Sequence, residues 1–142
     1  MKQPKIFYLL FPFVMMVIPW VYLAYIWNDL SQTIPTHFGI NGLPDNFGEK
    51  IEIIAAPLIL GTVGLLSYFI LQNIHKIDPK KKYTAGNSVL MKKLSVILII
   101  LLSFLSLLIF HSSLKGKITG MPLLFCGLSL FLAYIGNLMH SI

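Results

Sequence analysis

Four long apolar runs alternate with shorter polar segments along the chain, at residues 6–27, 53–71, 94–110 and 121–138. Each run is close to the roughly 20 residues that an α-helix needs to cross the hydrocarbon core of a bilayer. None shows the alternation of apolar and polar residues over about 10 residues that marks a membrane β-strand. Because helices are the remaining way to satisfy backbone polar groups in lipid, the pattern predicts an all-α, polytopic membrane protein with four transmembrane helices.

The composition agrees with this prediction. The chain is 56% hydrophobic and only 11% charged, with a mean hydropathy of +0.80, which is too apolar for an ordinary soluble domain. The first run follows two lysines, as a secretory signal does, but it is too long and no A-x-A-like cleavage site follows it. We therefore interpret it as a retained anchor and residues 1–142 as a single membrane domain.

The lysines predict the orientation of the chain, because short Lys-rich segments stay on the cytoplasmic side of a membrane. Eight of the eleven lysines lie before the first run or in the segment 72–93. Both termini and this basic loop are therefore predicted to be cytoplasmic, and the loop 28–52 to face outward. The net charge of +6 then suits anionic membrane lipid, and we expect no nucleic-acid partner.

The interiors of the four runs contain no Asp, Glu, Lys, Arg or His. Ion-coupled transport usually relies on an ionisable group within the membrane, and hydrolysis needs an activated nucleophile. We therefore predict no catalytic residue and expect any specific chemistry in the loops. The single cysteine, Cys126, has no disulfide partner in the chain and is expected to be a buried packing residue.

The first two runs carry residues that affect helix packing. Pro12 and Pro19 each free a carbonyl one turn earlier, which a neighbouring helix or water must satisfy. Gly61 and Gly64 form a small-residue surface in the second run, which favours close approach of another helix over a ligand groove. Such faces also make self-association into a homo-oligomer an open alternative.

The loop 28–52, at roughly 25 residues, is longer than a typical connection between helices. Pro35 and Pro44 disfavour helix for the residues before them, and three glycines permit positive φ. The segment "LPDN" suits a turn with proline at its second position. We expect an ordered cap, with four apolar side chains tucked back onto the helix ends: Phe38, Ile40, Leu43 and Phe47.

The loop offers few metal ligands. His37, Asp45, Glu49 and Glu52 are available, but there is no H-E-x-x-H, no second nearby histidine and no EF-hand spacing. We predict neither a metal nor another cofactor, and expect His37 to bond a loop carbonyl or carboxylate.

Eight residues of the loop stand in the order P-x-H-F-x-x-x-G-x-P-D-x-F-x-x-K, directly after the first run. This pattern resembles the N-terminal domain of unknown function in SdpI-type bacterial immunity proteins, which protect a producing cell from its own membrane-active peptide toxin. Gly39 stands where that family often has Asn. Full-length members continue beyond the point that corresponds to Ile142, so the resemblance implies a short form that lacks the C-terminal half. The matching residues are Pro35, His37, Phe38, Gly42, Pro44, Asp45, Phe47 and Lys50.

The resemblance implies a non-enzymatic immunity or toxin-sensing protein of the bacterial plasma membrane. The acidic outer loop would attract a cationic peptide toxin, and the small-residue surfaces of the first two helices would accept its apolar face. Pro35, Gly42, Pro44 and Lys50 would shape the loop. The residues expected to bind the toxin are His37, Phe38, Asp45, Phe47 and Glu49.

Two other classes of function stay open at this point. The chain could be a small accessory subunit of a transporter or signalling complex, with the basic loop 72–93 binding a cytoplasmic or membrane protein partner. It could also be an enzyme or ion-coupled carrier that uses a metal site in the outer loop, although the ligand set disfavours this.

Overall fold

The computed structural model describes residues 5–77, 85–118 and 120–140. This part of the chain is mostly helical, and its long helices coincide with the four apolar runs. A β-hairpin stands between the first two long helices. The helices are α1 (Lys5–Ile26), α2 (Ala55–Gln72), the single turn α3 (Ile74–Ile77), α4 (Ala85–Lys115) and α5 (Met121–His140), and the strands are β1 (Thr33–Phe38) and β2 (Pro44–Glu49).

Three stretches within the described residues are long and apolar enough to cross a membrane: Leu10–Asp29, Lys50–Gln72 and Val89–Lys115. The protein therefore has the helices of a membrane protein. The fourth predicted span coincides with α5, in which the apolar stretch within the described residues is Phe125–Asn137. The four-span topology and the sidedness of the termini stay predictions.

A hydrogen bond between helices satisfies the carbonyl that Pro19 frees in α1. The Ser103 hydroxyl of α4 donates to the Met15 carbonyl at 2.7 Å, and Met15 lies four residues before Pro19. The missing backbone donor is thus replaced by a side chain from the neighbouring helix, as the sequence predicts.

The glycines of α2 are packing positions. A Cβ at Gly61 would lie 3.2 Å from the Met16 side chain of α1, and a Cβ at Gly64 would lie 3.3 Å from the Ile99 side chain of α4. The packing interpretation is therefore confirmed. At these two glycines, side chains of α1 and α4 occupy the space that was expected to accept a peptide.

The helix boundaries around the basic segment differ from the expected loop 72–93. Residues 74–77 are helical, and α4 begins at Ala85, nine residues before the third apolar run; residues 78–84 lie outside the described part. Leu90, Met91 and the two lysines that follow are good helix formers, and lysines can extend their charged ends toward water. The apolar run therefore predicted the stretch that is compatible with lipid, but not the residue at which the helix begins.

A buried cluster holds the hairpin against the helices. Its members come from the end of α1, the segment before β1, β1 itself, the 3₁₀ turn Lys50–Ile54 that precedes α2, and the end of α4. Because these elements meet in one place, the hairpin is fixed at one end of the bundle. The buried residues are Leu23, Ile26, Leu30, Ile34, Ile53 and Phe110.

The last helix, α5, packs chiefly against α4. Its described side chains are mostly exposed, including those of Phe125, Leu130 and Leu132. Cys126 is also exposed, not buried as expected. The described side chains of α5 therefore leave much of its surface exposed.

Candidate functional site

The predicted outer cap is an antiparallel hairpin with an irregular first strand. The register runs from Thr33 opposite Glu49 to Phe38 opposite Pro44, with shifts on both sides of His37. Proline is tolerated in a two-stranded hairpin because both strands are edges, and irregular pairing re-aims side chains. The sequence predicts an ordered loop here but not strands.

The hairpin tip is closed by backbone hydrogen bonds and docks on the connection between α4 and α5. The Gly39 amide donates to the Leu43 carbonyl at 2.8 Å, and the Gly42 amide donates to the Gly39 carbonyl at 2.9 Å. Gly42 has φ of +76°, a conformation that side-chain-bearing residues rarely adopt. Its carbonyl accepts a hydrogen bond from the Ile118 amide at 3.1 Å, so Gly42 also fixes the tip to the bundle.

His37 and Asp45 form a pair across the hairpin. Nδ1 of His37 lies 2.5 Å from Oδ1 of Asp45, and their side chains are 68% and 52% exposed. The expected bond from His37 to a carboxylate is therefore confirmed. The pair bridges the two strands at the irregular pairing, directly before Phe38 in the chain.

Glu49 lies at the base of the hairpin, away from this pair. Its amide donates to Oε1 of Glu52 at 3.0 Å, and its own side chain accepts from the Glu52 amide, which completes a capping box. Gly48 makes room for this arrangement, since a Cβ there would overlap the Glu52 carboxylate. Glu49 lies four positions after Asp45, about 13 Å along a strand, so the structure does not join all the predicted binding residues.

The apolar side chains of the hairpin divide into two groups. Phe38 is half-buried and faces a cavity beneath the hairpin. Ile40, Leu43 and Phe47 are exposed, so the expectation that all four tuck back onto the helices is wrong for these three. The tip is fixed through its backbone, which leaves Ile40 and Leu43 without a helix surface to cover.

The cavity beneath the hairpin has a volume of about 570 Å³, within the usual range for small-ligand sites. β1 covers it, and its walls come from the 3₁₀ turn Lys50–Ile54, the start of α2 and the end of α4. Its lining is mainly apolar, with Glu52, Ser112 and Ser113 as the polar side chains on the helical walls. Sequence reasoning missed Leu105 and Ile109 of this lining, because nothing in an apolar span distinguishes a cavity wall from a lipid-facing surface.

Lys50 closes the base of the hairpin. Its amide donates to the Gln32 carbonyl at 2.9 Å, and the residue is only 9% exposed. Its Nζ lies 4.6 Å from the centroid of the Trp27 ring, within the range of a cation–π contact. The predicted shaping role of Lys50 thus has a direct structural basis.

Metal-ligating side chains are scattered at this end of the bundle. Among the described residues, no three His, Cys, Asp or Glu side chains are grouped so that they could hold a metal ion. The described hairpin carboxylates instead bond His37 or backbone amides.

Comparison with known proteins places the hairpin within a recognised domain. Residues 14–61 match the profile of the family described as Domain of unknown function (DUF1648). An uncharacterized protein of Archaeoglobus fulgidus is 30% identical, and the match covers 75% of this chain and 68% of that protein. The chain belongs to the same family as this archaeal protein. The matched residues comprise most of α1, the hairpin and the first part of α2. No solved structure matches the chain.

Proposed function

We propose that the chain is a non-enzymatic protein of the bacterial plasma membrane that protects against, or senses, a membrane-active peptide toxin. In this proposal it has four spans, cytoplasmic termini and a hairpin on the outer surface, as in the SdpI-type immunity proteins that its hairpin motif resembles. The observation that carries the proposal is the apolar cavity that the hairpin covers.

The size and lining of the cavity suit part of an amphipathic peptide. About 570 Å³ has room for one or two large apolar side chains. Phe38 and Ile53 at the hairpin side and Ile109 on α4 offer apolar contact, and burying such side chains contributes about 1.5–3 kcal/mol each. A toxin that fills this cavity from the membrane surface would be kept from inserting elsewhere.

The charge around the cavity favours a cationic ligand. The segment 28–52 holds four carboxylates against one lysine, and that lysine, Lys50, is buried. Glu52 lines the cavity, while Asp45 and Glu49 are exposed on the second strand. Opposite charges across an interface raise association rates and help to set orientation.

The hairpin residues have separate roles in this proposal. The His37–Asp45 pair restrains the irregular strand, so Phe38 keeps its place over the cavity. Exposed Phe47 supplies a further apolar contact on the hairpin surface, and Glu49 holds the hairpin base through its capping box.

Survival of a toxin-sensitive bacterium tests the proposal. Cells expressing the chain are challenged with a panel of cationic membrane-active peptides, alongside Ala55→Phe, which fills the cavity from an exposed lining position. Ala24→Phe makes the same change at an exposed position on α1 away from the cavity. At matched membrane levels, we expect protection by the wild type and by Ala24→Phe and its loss in Ala55→Phe. No protection against any peptide, or full protection by Ala55→Phe, would contradict the proposal.

A second candidate is a small accessory subunit of a membrane transporter or signalling complex. The observation that favours it is the exposed apolar face of α1, where Phe13, Val17 and Val21 border a shallow groove. Such a face can contact lipid or another membrane protein. Recovery of a stoichiometric partner on purification from native membranes would support this candidate, whereas a monomer or homo-oligomer alone would count against it.

A further inference from the structure

A second cavity lies at the base of the hairpin, around the side chain of Lys50. It has a volume of about 410 Å³ and is lined by Trp27, Gln32, Glu49, Lys50 and Ile51. It shares no lining residue with the larger cavity beneath the hairpin. The two cavities are therefore separate sites, and an inference about one does not rest on the other.

Lys50 is an unusual residue to find in such a place. It is only 9% exposed, whereas lysines are almost never this buried unless they are paired. Within the described part of the chain the one ion pair is His37–Asp45, and the hydrogen bonds there include none from the Lys50 ammonium. Its contact is with the ring of Trp27, whose centroid lies 4.6 Å from Nζ.

The ring contact leaves the ammonium incompletely satisfied. An ammonium has three N–H donors, and an aromatic face attracts the charge without accepting three hydrogen bonds. A buried charge that lacks hydrogen-bond acceptors is unfavourable. A ligand in the cavity that supplies acceptor oxygens would therefore stabilise the ammonium of Lys50. An anion would also supply the opposite charge.

The surroundings indicate which anion fits. Trp27 directly follows α1, within a stretch that is long and apolar enough to span a membrane, and tryptophan is enriched at the level of the lipid headgroups. Gln32 is exposed at the cavity and carries an amide that can donate to a second oxygen. A phosphate group offers several acceptor oxygens and lies at this depth in a phospholipid bilayer.

The opposing charge at this site is Glu49. Its side chain lines the cavity but accepts from the Glu52 amide in the capping box, and it makes no ion pair with Lys50. The capping bond holds this carboxylate in place, so its charge weakens anion binding without abolishing it. Removal of that charge should strengthen binding.

We propose that Lys50, together with Gln32 and Trp27, binds a phosphate-bearing anion at the base of the hairpin. The source is either the headgroup of an anionic phospholipid or free phosphate. Occupation of the site would fix the hairpin at the membrane surface, because the Lys50 amide is also bonded to the Gln32 carbonyl.

Trp27 fluorescence tests this proposal. The chain has two tryptophans, so Trp20→Phe leaves Trp27 as the reporter beside the ammonium. The purified protein in an uncharged maltoside detergent is titrated with dihexanoyl-phosphatidylglycerol and, separately, with inorganic phosphate. We expect a saturable change in Trp27 emission with at least one of these ligands. Saturation by the lipid alone identifies a headgroup site, and saturation by phosphate as well identifies a site for free phosphate.

Three variants decide whether the change arises at Lys50. Lys50→Met should weaken binding at least tenfold, while Glu49→Gln, which keeps an acceptor for the Glu52 amide, should tighten it severalfold. Lys115→Met removes the same charge from an exposed residue at the end of α4 and should bind as the wild type does. No saturable response to either ligand, or an unchanged affinity in Glu49→Gln, would overturn the proposal. Water would then be the occupant of the cavity.

Discussion

The interior of the helix bundle and its hairpin end differ in how their polar side chains are paired. Between the helices, the Ser103 hydroxyl bonds the carbonyl that Pro19 frees, and Gln72 of α2 donates to buried Ser95 of α4. At the hairpin end, His37 and Asp45 are exposed, and Lys50 is buried beside an aromatic ring without a carboxylate partner in the described chain.

The difference indicates where ligands can bind. In the described interior, the gap between α1, α2 and α4 has a volume of about 10 Å³. The hairpin end holds two cavities of about 570 and 410 Å³. We infer that the helices form a scaffold and that the hairpin end, which holds both cavities, is the surface that binds ligands. We call this end the working surface.

Overpacking the interior should have the largest effect on stability. Gly64→Leu would force a side chain against Ile99 and Leu102, since a Cβ alone would already lie 3.3 Å from Ile99. We expect destabilisation of about 1–3 kcal/mol, measured as a lower Tm in detergent. Gly127→Leu is the matched control, because a Cβ on that glycine of α5 meets nothing within 4 Å. Equal loss of stability in both variants would contradict the packing account.

A substitution that disfavours the positive φ at the hairpin tip should have the next largest effect on stability. Gly42→Ala places a side chain at φ of +76°, which costs roughly 1–2 kcal/mol. Because the Gly42 carbonyl also accepts from Ile118, the Ile118 amide should exchange its hydrogen faster in the variant. Gly136→Ala in α5, where a Cβ has open space, should leave that exchange unchanged. Unaltered exchange in Gly42→Ala would show that the tip is not held as described.

Loss of a single interhelical hydrogen bond should have a smaller effect on stability than either of these changes. Ser103→Ala leaves the Met15 carbonyl without its donor, which should cost about 0.6 kcal/mol and no more than about 1.7 kcal/mol. Ser129→Ala, at an exposed position of α5, is the control. Thermal unfolding of the two variants in the same detergent measures the difference, and a Tm for Ser103→Ala equal to that of the control would mean that water replaces the hydroxyl.

The smallest effect on stability is expected at the exposed pair of the hairpin. His37→Ala removes a contact whose partners are 68% and 52% exposed, and such pairs contribute about 0–1 kcal/mol. We therefore expect Tm to change little while protection in the survival assay falls, since Phe38 loses its restraint. A large fall in Tm, or unchanged protection, would remove the distinction between scaffold and working surface at this residue.

The sequence predicted those features that depend on local chemistry. Long apolar runs predicted the long helices, the proline at position 19 predicted a carbonyl in need of a donor, and the composition of the hairpin segment predicted a loop carbonyl or carboxylate as the partner of His37. Each of these follows from neighbouring residues and the solvent around them.

The features that the sequence missed depend on residues that are distant in the chain or on backbone pairing. The strand pattern in the sequence is weakened by Pro35, Pro44 and Gly48. The hairpin forms nevertheless, because tertiary contacts and not local preference stabilise it. The cavity joins β1 to Ile109 and Ser113 of α4, and no local pattern brings these segments together. The fourth span and the sidedness of the hairpin depend on the membrane and stay predictions.

The most direct test of the working surface is labelling of intact cells with a membrane-impermeant maleimide. Cys126→Ala removes the only cysteine, and Thr36→Cys then places a thiol at an exposed position that lines the cavity. Asn28→Cys provides an exposed control outside the cavity. We predict that both thiols label from outside and that a peptide against which the chain protects slows labelling severalfold at position 36 only. Labelling that requires permeabilised cells, or equal rates at position 36 with and without the peptide, would contradict the account.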